Sequence, residues 1–325
     1  MFFNKKVLVT GGAGFIGANL IKRLLKEGAI VRATLHVQDA VIVDNRIEYI
    51  RVDLRNEQDC FDATQDIEFV FMCAANTSGA KVIANTPLVH LTPNVLMNMQ
   101  ILQASHAQNV KKFLFISSNV VYPLVDYPVK ETDVSNEFYE SYYIVAWMKR
   151  FSELVCDMYS RHIKPSMETI IVRPGNLYGP YDKFDWEKSK VIPAIIRRAI
   201  EKHNPFEVWG DGMDVKDFLY IDDLIDGLIL AMEKLEHFEP INIASGVPIT
   251  IRDVLAEILK SADYENADIY YNSSKPTMIP KRMIDISLAK EKLGFKPKVS
   301  LEDGIQKTVN WYREFYENST PEKRL

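Results

Sequence analysis

The 325-residue chain is 47% hydrophobic and 26% charged, which supplies a large apolar core and excludes a disordered polymer. Its formal net charge of -5 is a mild acidic excess without a basic face, which argues against nucleic acid as a partner. Only Cys60, Cys73 and Cys156 occur, widely spaced and in apolar settings, so the expectation is reduced thiols in the cytoplasm, with no disulfide framework and no metal site.

The opening Met1 to Lys6 is too short for a secretory apolar region, and no later run approaches a membrane span, so no membrane partner is expected. Val7-Leu8-Val9-Thr10 predicts a first strand, followed by a helix to about Lys26 and a second strand at Ile30-Val31-Arg32-Ala33-Thr34. Further strands are predicted at Ile47 to Val52, Phe69 to Met72, Phe113 to Ile116 and Thr169 to Val172, with helices near 93–109 and 140–162. This alternation predicts an α/β protein whose doubly wound parallel sheet is covered on both faces.

After Arg173 the rhythm changes. A Pro/Gly-rich loop runs to Pro180, then come a helix from about Val191 to Lys202, a short segment Phe206-Glu207-Val208-Trp209, and helices near 222–234, 250–261 and 301–317. Ile241-Asn242-Ile243 reads as a short strand that returns to the main sheet. The expected division is a sheet domain of residues 1–172 with about 219–245, and a smaller α/β domain of 173–218 with about 246–325, whose tail from Ser319 to Leu325 frays.

Gly11-Gly12-Ala13-Gly14-Phe15-Ile16-Gly17 lies directly between the first strand and its helix. Glycines at Gly11, Gly14 and Gly17 let the backbone, together with the Phe15 and Ile16 amides at the helix start, approach a pyrophosphate, whose charge the helix dipole stabilises. The strand–turn–helix context is what a dinucleotide cradle requires. Asp53-Leu54 ends the third strand, where a carboxylate can meet an adenine amine, and Cys73-Ala74-Ala75 ends the fourth with side chains small enough to lie under a cofactor. The end of the second strand offers Arg32, Thr34 and His36 but no acid between Ile30 and Val37, which favours NADP(H) over NAD.

Several later stretches carry a family resemblance: Ser117-Ser118-Asn119-Val120-Val121-Tyr122-Pro123, Arg173-Pro174-Gly175-Asn176-Leu177-Tyr178-Gly179-Pro180, Val191-Ile192-Pro193-Ala194 with Arg197-Arg198, Val208-Trp209-Gly210-Asp211-Gly212, and Lys216 to Asp223. With the glycine loop, they make the chain resemble an extended short-chain dehydrogenase/reductase of the NAD-dependent epimerase/dehydratase kind, most like the GDP-L-fucose synthases. The resemblance implies a Rossmann-type domain, a second domain gripping a nucleoside-diphosphate sugar, and a homodimer through the 93–109 and 140–162 helices. It adds Asn94 and Pro174 to the cofactor contacts. It also makes Arg198, Lys216 and Arg282 diphosphate ligands, sets Val208 and Trp209 beside the base, and puts Asn176, Lys190 and Val191 at the substrate.

Hydride transfer at a sugar carbon needs a proton moved on the adjacent oxygen. In the resembled family the Tyr of a Tyr-x-x-x-Lys pair does this, while the Lys holds the nicotinamide ribose and lowers the tyrosine pKa and a serine hydroxyl binds the reacting oxygen. Ser117 or Ser118 fits the serine, the family's first serine matching Ser117, and Lys149 fits the lysine, followed by Glu153, Cys156 and Tyr159 at the family spacing. Four residues before Lys149 stands Val145, which carries no proton. The register of Tyr143 puts Trp147 in the lysine's place, whereas Tyr142, two turns before Lys149, shares its face if the helix start bends inwards. Asn119 and Lys190 occupy the positions of the family's cysteine and histidine, so loss of epimerisation is expected. The expectation is therefore a nucleotide-sugar epimerase, reductase or dehydratase with an atypical proton carrier, or alternatively a cofactor-binding sensor or partner subunit without turnover.

Overall fold

The computed structural model describes residues 1–77, 86, 88–275 and 277–318; the tail expected to fray lies outside them. Six strands come first: β1 (Lys6–Val9), β2 (Ile30–Leu35), β3 (Ile47–Arg51), β4 (Phe69–Met72), β5 (Lys112–Ile116) and β6 (Glu168–Pro174). There follow β7 (Asn176–Tyr178), β8 (Phe206–Trp209), β9 (Val215–Tyr220), β10 (Glu239–Ile243), β11 (Pro248–Thr250) and β12 (Ile269–Asn272). The helices are α1 (Phe15–Lys26), α2 (Glu57–Thr64), α3 (Leu88–Ala107), α4 (Tyr143–Asp157), α5 (Val191–Ile200), α6 (Ile221–Lys234), α7 (Ile251–Ser261), α8 (Ser287–Leu293) and α9 (Leu301–Asn318). None is long and apolar enough to cross a membrane.

Strand apolarity on both faces is what buries the main sheet. Val7, Val9, Phe69, Phe71, Leu114, Ile116, Ile170 and Val172 point into one core with Leu20, Leu24 and Leu228. Their neighbours Leu8, Val70, Met72, Phe113, Phe115 and Ile171 point into the other with Ile101, Leu102 and Cys156. Successive residues of a strand face opposite ways, so a continuous apolar run serves two cores, each fully buried large side chain contributing about 1.5–3 kcal/mol.

The sheet order is β10-β6-β5-β4-β1-β2-β3, every pairing parallel. The chain winds outward from β1 to β3 and then restarts at β4 on the other side of β1. A crevice opens at that reversal, beyond the carboxyl ends of the strands, and this is the Rossmann-type arrangement. The small sheets β11-β9-β7 and β12-β8 form the cap over it.

Two expectations need correcting. The Pro/Gly-rich loop to Pro180 contains β7, because Asn176 to Tyr178 pair with Phe218 to Tyr220 of β9, a partner far along the chain. The helix expected to begin near 93 begins at Leu88 and carries Pro93 inside it. Proline lacks the N–H that would bond the Val89 carbonyl, and the Asn76 side-chain amide donates to that carbonyl instead, at 2.8 Å.

Candidate active site

The ends of β1, β2 and β4 are tied together at the reversal. Thr10 Oγ1 accepts from the Cys73 and Ala74 amides at 3.0 Å each, and Gly11 N donates to Thr34 Oγ1 at 2.9 Å. Gly11 has φ +68°, and a Cβ there would lie 2.8 Å from Ala74 Cα; one on Gly17 would lie 2.3 Å from the Gly11 carbonyl oxygen. No side chain caps the start of α1 at Gly14, and its first turn holds no acid. An anion fits what remains: a cradle that a side chain would fill, facing the positive end of a helix.

A cleft of about 510 Å³ runs from this cradle beneath the cap. Gly14, Phe15, Ile16, Ala74, Ala75, Asn94, Ser117, Asn119, Tyr142, Lys149 and Pro174 line it on the sheet side, and Asn176, Lys190, Val191, Arg198, Val208, Trp209, Lys216 and Arg282 on the cap side. Asn94 is held within its own chain: its Nδ2 donates to the Asn76 and His90 carbonyls and its Oδ1 accepts from Asn76 N, so it shapes the loop after β4.

The outer rim brings His36 within 3.8 Å of Asp53. Asp53 is gripped by Arg55, whose hydrogen bonds hold its carboxyl down at about 2. Leu54 packs into the second core. Arg32 is not at this rim. From the middle of β2 it bonds Glu48 and the carbonyls of Asp62, Ala63 and Gln65, neutralising the negative end of α2. Its place as a cofactor ligand is corrected accordingly.

Deeper in, the two serines differ. Ser117 Oγ donates to the fully buried Glu153 at 2.6 Å, and Glu153 is held in turn by Arg173 at 2.8 Å and Arg150 at 3.1 Å. Ser118 Oγ accepts from Val120 N at 3.3 Å and also lines the cleft. The hydroxyl of Ser117, the serine that the resemblance favours, is thus committed inwards, and Ser118 keeps its proton for a ligand. Asn119 Nδ2 donates to the Pro174 carbonyl at 3.0 Å.

Val145 lines the cleft one turn before Lys149. A short 3-10 turn, Glu140–Tyr142, precedes α4 and turns Tyr142 into the cleft, where burial pushes its phenol up to about 12. Tyr143 is 47% exposed and meets Phe138 and Trp147, with ring centroids 6.3 Å away in each case. Of the two tyrosines, only Tyr142 faces the ligand space.

On the cap side, Lys216 donates to Asp214 at 3.1 Å and to the Ile279 carbonyl, while Arg282 donates to the Tyr122 and Pro123 carbonyls. Burial pulls Arg282 down to about 10 and leaves its Nε without a partner among the described residues. Arg198 lies 5.2 Å over the Trp186 ring. Cationic side chains outnumber carboxylates along the cleft by seven to three, a field suited to a dianionic diphosphate. Trp186, Asp182 and Lys183 escaped sequence reasoning; they follow Gly179-Pro180 in a stretch that carries no periodic signal.

A glycine cradle at the reversal of a parallel sheet, joined by one cleft to buried cations beneath a cap, defines an enzyme of the nucleotide-sugar epimerase and reductase class. The chain belongs to the NAD dependent epimerase/dehydratase family, whose model matches residues 7–244. It is 31% identical over 320 residues to "Probable GDP-L-fucose synthase 1" of Oryza sativa subsp. japonica, covering 95% of this chain and 92% of that one. It is 29% identical over 321 residues to "GDP-mannose 3,5-epimerase 1" of Oryza sativa subsp. indica, covering 95% and 82%. Its fold is similar to the crystal structure of UDP-glucuronic acid 4-epimerase from Bacillus cereus in complex with UDP-glucuronic acid and NAD, with a TM-score of 0.84, 28% identity and coverage of 96% and 100%.

Proposed function

We propose that the protein is an NAD(P)-dependent oxidoreductase or epimerase of nucleotide sugars, acting by hydride transfer at a sugar carbon, with a GDP-sugar as first choice of substrate. The observation that carries this is the single cleft joining the uncapped start of α1 and Lys149 on one side to Arg198, Lys216 and Arg282 on the other. The dinucleotide supplies the hydride chemistry when bound. Gly11, Gly14 and Gly17 admit its pyrophosphate; Ala74, Ala75 and Pro174 give it a flat bed; Asp53, Leu54 and His36 stand at its adenosine end. With no acid at the end of β2 and Arg32 turned away, His36 favours the phosphate of NADP(H). Val208 and Trp209 border the base of the sugar nucleotide, the three cations hold its diphosphate, and Asn176 and Val191 contact phosphate or sugar.

Residues 1–172 with 219–245 serve the dinucleotide, and 173–218 with 246–325 the sugar nucleotide. The usual tyrosine is replaced by Val145, so the proton carrier is atypical. Asn119, with its amide tied to Pro174, and Lys190 replace the groups that would epimerise a 4-keto sugar, so simple reduction or oxidation is favoured. Incubating the protein in deuterated water with a panel of 4-keto sugar nucleotides tests this. Loss of reduced-nicotinamide absorbance is expected, faster with NADPH than NADH, without deuterium at C3 or C5. Tight cofactor binding without turnover would instead favour a sensor or partner subunit, and deuterium at either carbon would defeat the simple-reductase reading.

The packed pair α3 and α4 presents Leu96, Tyr143 and Phe151 to the surface at 42%, 47% and 44% exposure. We infer a homodimer through this face, since such exposed apolar groups gather at interfaces. Sedimentation equilibrium is expected to give twice the chain mass; a monomer at micromolar concentration would overturn it. The three cysteines are free, which suits the reducing cytoplasm.

A further inference from the structure

We propose that Lys149 itself carries the proton to and from the sugar oxygen, in place of the phenol that Val145 does not supply. The proposal rests on the function above. Lys149 Nζ donates to the Ile116 carbonyl at 2.8 Å and lies 4.8 Å from the centre of the Phe115 ring. The strand end that presents Ser117 and Ser118 therefore also pins this nitrogen. An ammonium has three protons and the carbonyl takes one, which leaves two for the cleft that Lys149 lines.

The residue one turn earlier on the same face is a hydrocarbon, so nothing at that position stands between the nitrogen and a ligand. Tyr142 does not replace it as a base, because burial alone acts on its phenol and raises it.

The charges that bear on Lys149 come from two elements, and a third presents a thiol that burial keeps protonated. Glu153 lies on its own helix, Cys73 at the end of β4, and Lys190 at the start of α5. Glu153 is already bound by Arg173, Arg150 and Ser117, so it is not a private counter-ion. Burial is the largest influence and pulls the Lys149 ammonium down to about 8, with Glu153 raising it and Lys190 lowering it further. An amine in that range exists in both protonation states near neutrality, as a general acid–base requires.

The step balances. In oxidation the neutral amine takes the hydroxyl proton and becomes an ammonium, while the carbon's hydrogen leaves with two electrons for the nicotinamide dinucleotide and the alcohol becomes a carbonyl. Reduction runs in reverse, the ammonium returning its proton to the oxygen. Oxidation therefore speeds up as pH rises through about 8, and reduction slows over the same interval.

Competitive acylation of the ligand-free wild type with acetic anhydride, read by peptide mass, measures this amine directly. A midpoint near 8 is expected, and the ordinary lysine value of about 10.4 would overturn the proposal. Lys149→Arg keeps a cation and a donor but holds its proton at every accessible pH. It is expected to retain dinucleotide binding while losing turnover by roughly 100- to 10,000-fold, the scale of a general acid–base contribution. Wild-type turnover by Lys149→Arg at saturating cofactor sinks the proposal, as does loss of turnover in Tyr142→Phe with Lys149→Arg still active. A wild type that retains no dinucleotide defeats the proposed function itself, and this is read before any variant is made.

Discussion

Replacing Glu153 with glutamine is expected to lower the unfolding free energy by about 3–5 kcal/mol, the scale of breaking a buried ion pair by removing one partner. Glu153 and Arg173 are 0% and 1% exposed at their side chains, and the pairing is two-pronged, Nε to Oε1 at 2.9 Å and Nη2 to Oε2 at 2.8 Å. Burial alone would make the Arg173 cation easier to discharge; the hydrogen bonds and charge of Glu153 more than reverse this and hold it above its ordinary value. Without the carboxylate, Arg173 keeps as partners Tyr122, the Glu131 carbonyl and the amide oxygen of the new glutamine, and none of these is an anion. The double variant Glu153→Leu, Arg173→Met should lose less than either single change, because the only cation it leaves without Glu153 is Arg150, whose side chain is 19% exposed and reaches water. Urea unfolding of Glu153→Gln, the two single changes and the double variant measures this. A Glu153→Gln protein within about 1 kcal/mol of wild type would mean that water reaches the pair.

Gly17→Val is expected to abolish most dinucleotide affinity while leaving the sheet intact. Its Cβ would stand 2.3 Å from the Gly11 oxygen and 3.2 Å from Gly12 Cα, backbone atoms that yield only by moving the turn. Overpacking of this kind costs about 1–3 kcal/mol. Falling on the cradle, that amount weakens binding by about ten- to a hundredfold. Fluorescence titration with NADH and NADPH reads the loss, and circular dichroism checks the fold. Unchanged affinity in a folded Gly17→Val protein would show that the dinucleotide lies elsewhere.

The main sheet was legible because its strands bury both faces, and runs such as Phe69 to Met72 have few other uses in a globular fold. The cradle was legible for a related reason: glycines at Gly11 and Gly17 answer to contacts within a few residues or at the next strand. What could not be read depends on partners distant in sequence. Residues 176–178 become a strand only beside β9, and α3 tolerates Pro93 only because Asn76 serves the stranded carbonyl. Arg32 has the right charge for a phosphate, yet its direction is fixed by strand pleat and by the carbonyls at the end of α2. Adjacent serines look alike in a sequence; the buried carboxylate of Glu153 tells them apart. The choice of Tyr142 over Tyr143 likewise waited on the turn at 140–142, which periodicity alone does not specify.

One of the two edge strands of the main sheet, β10, begins at residue 239, although its neighbour β6 is complete by residue 174. During synthesis on a ribosome, at about 5–20 residues per second, the hydrogen-bonding flank of β6 therefore stays bare for roughly 3–13 seconds. A nascent chain in that interval offers a ready template to any other extended segment nearby.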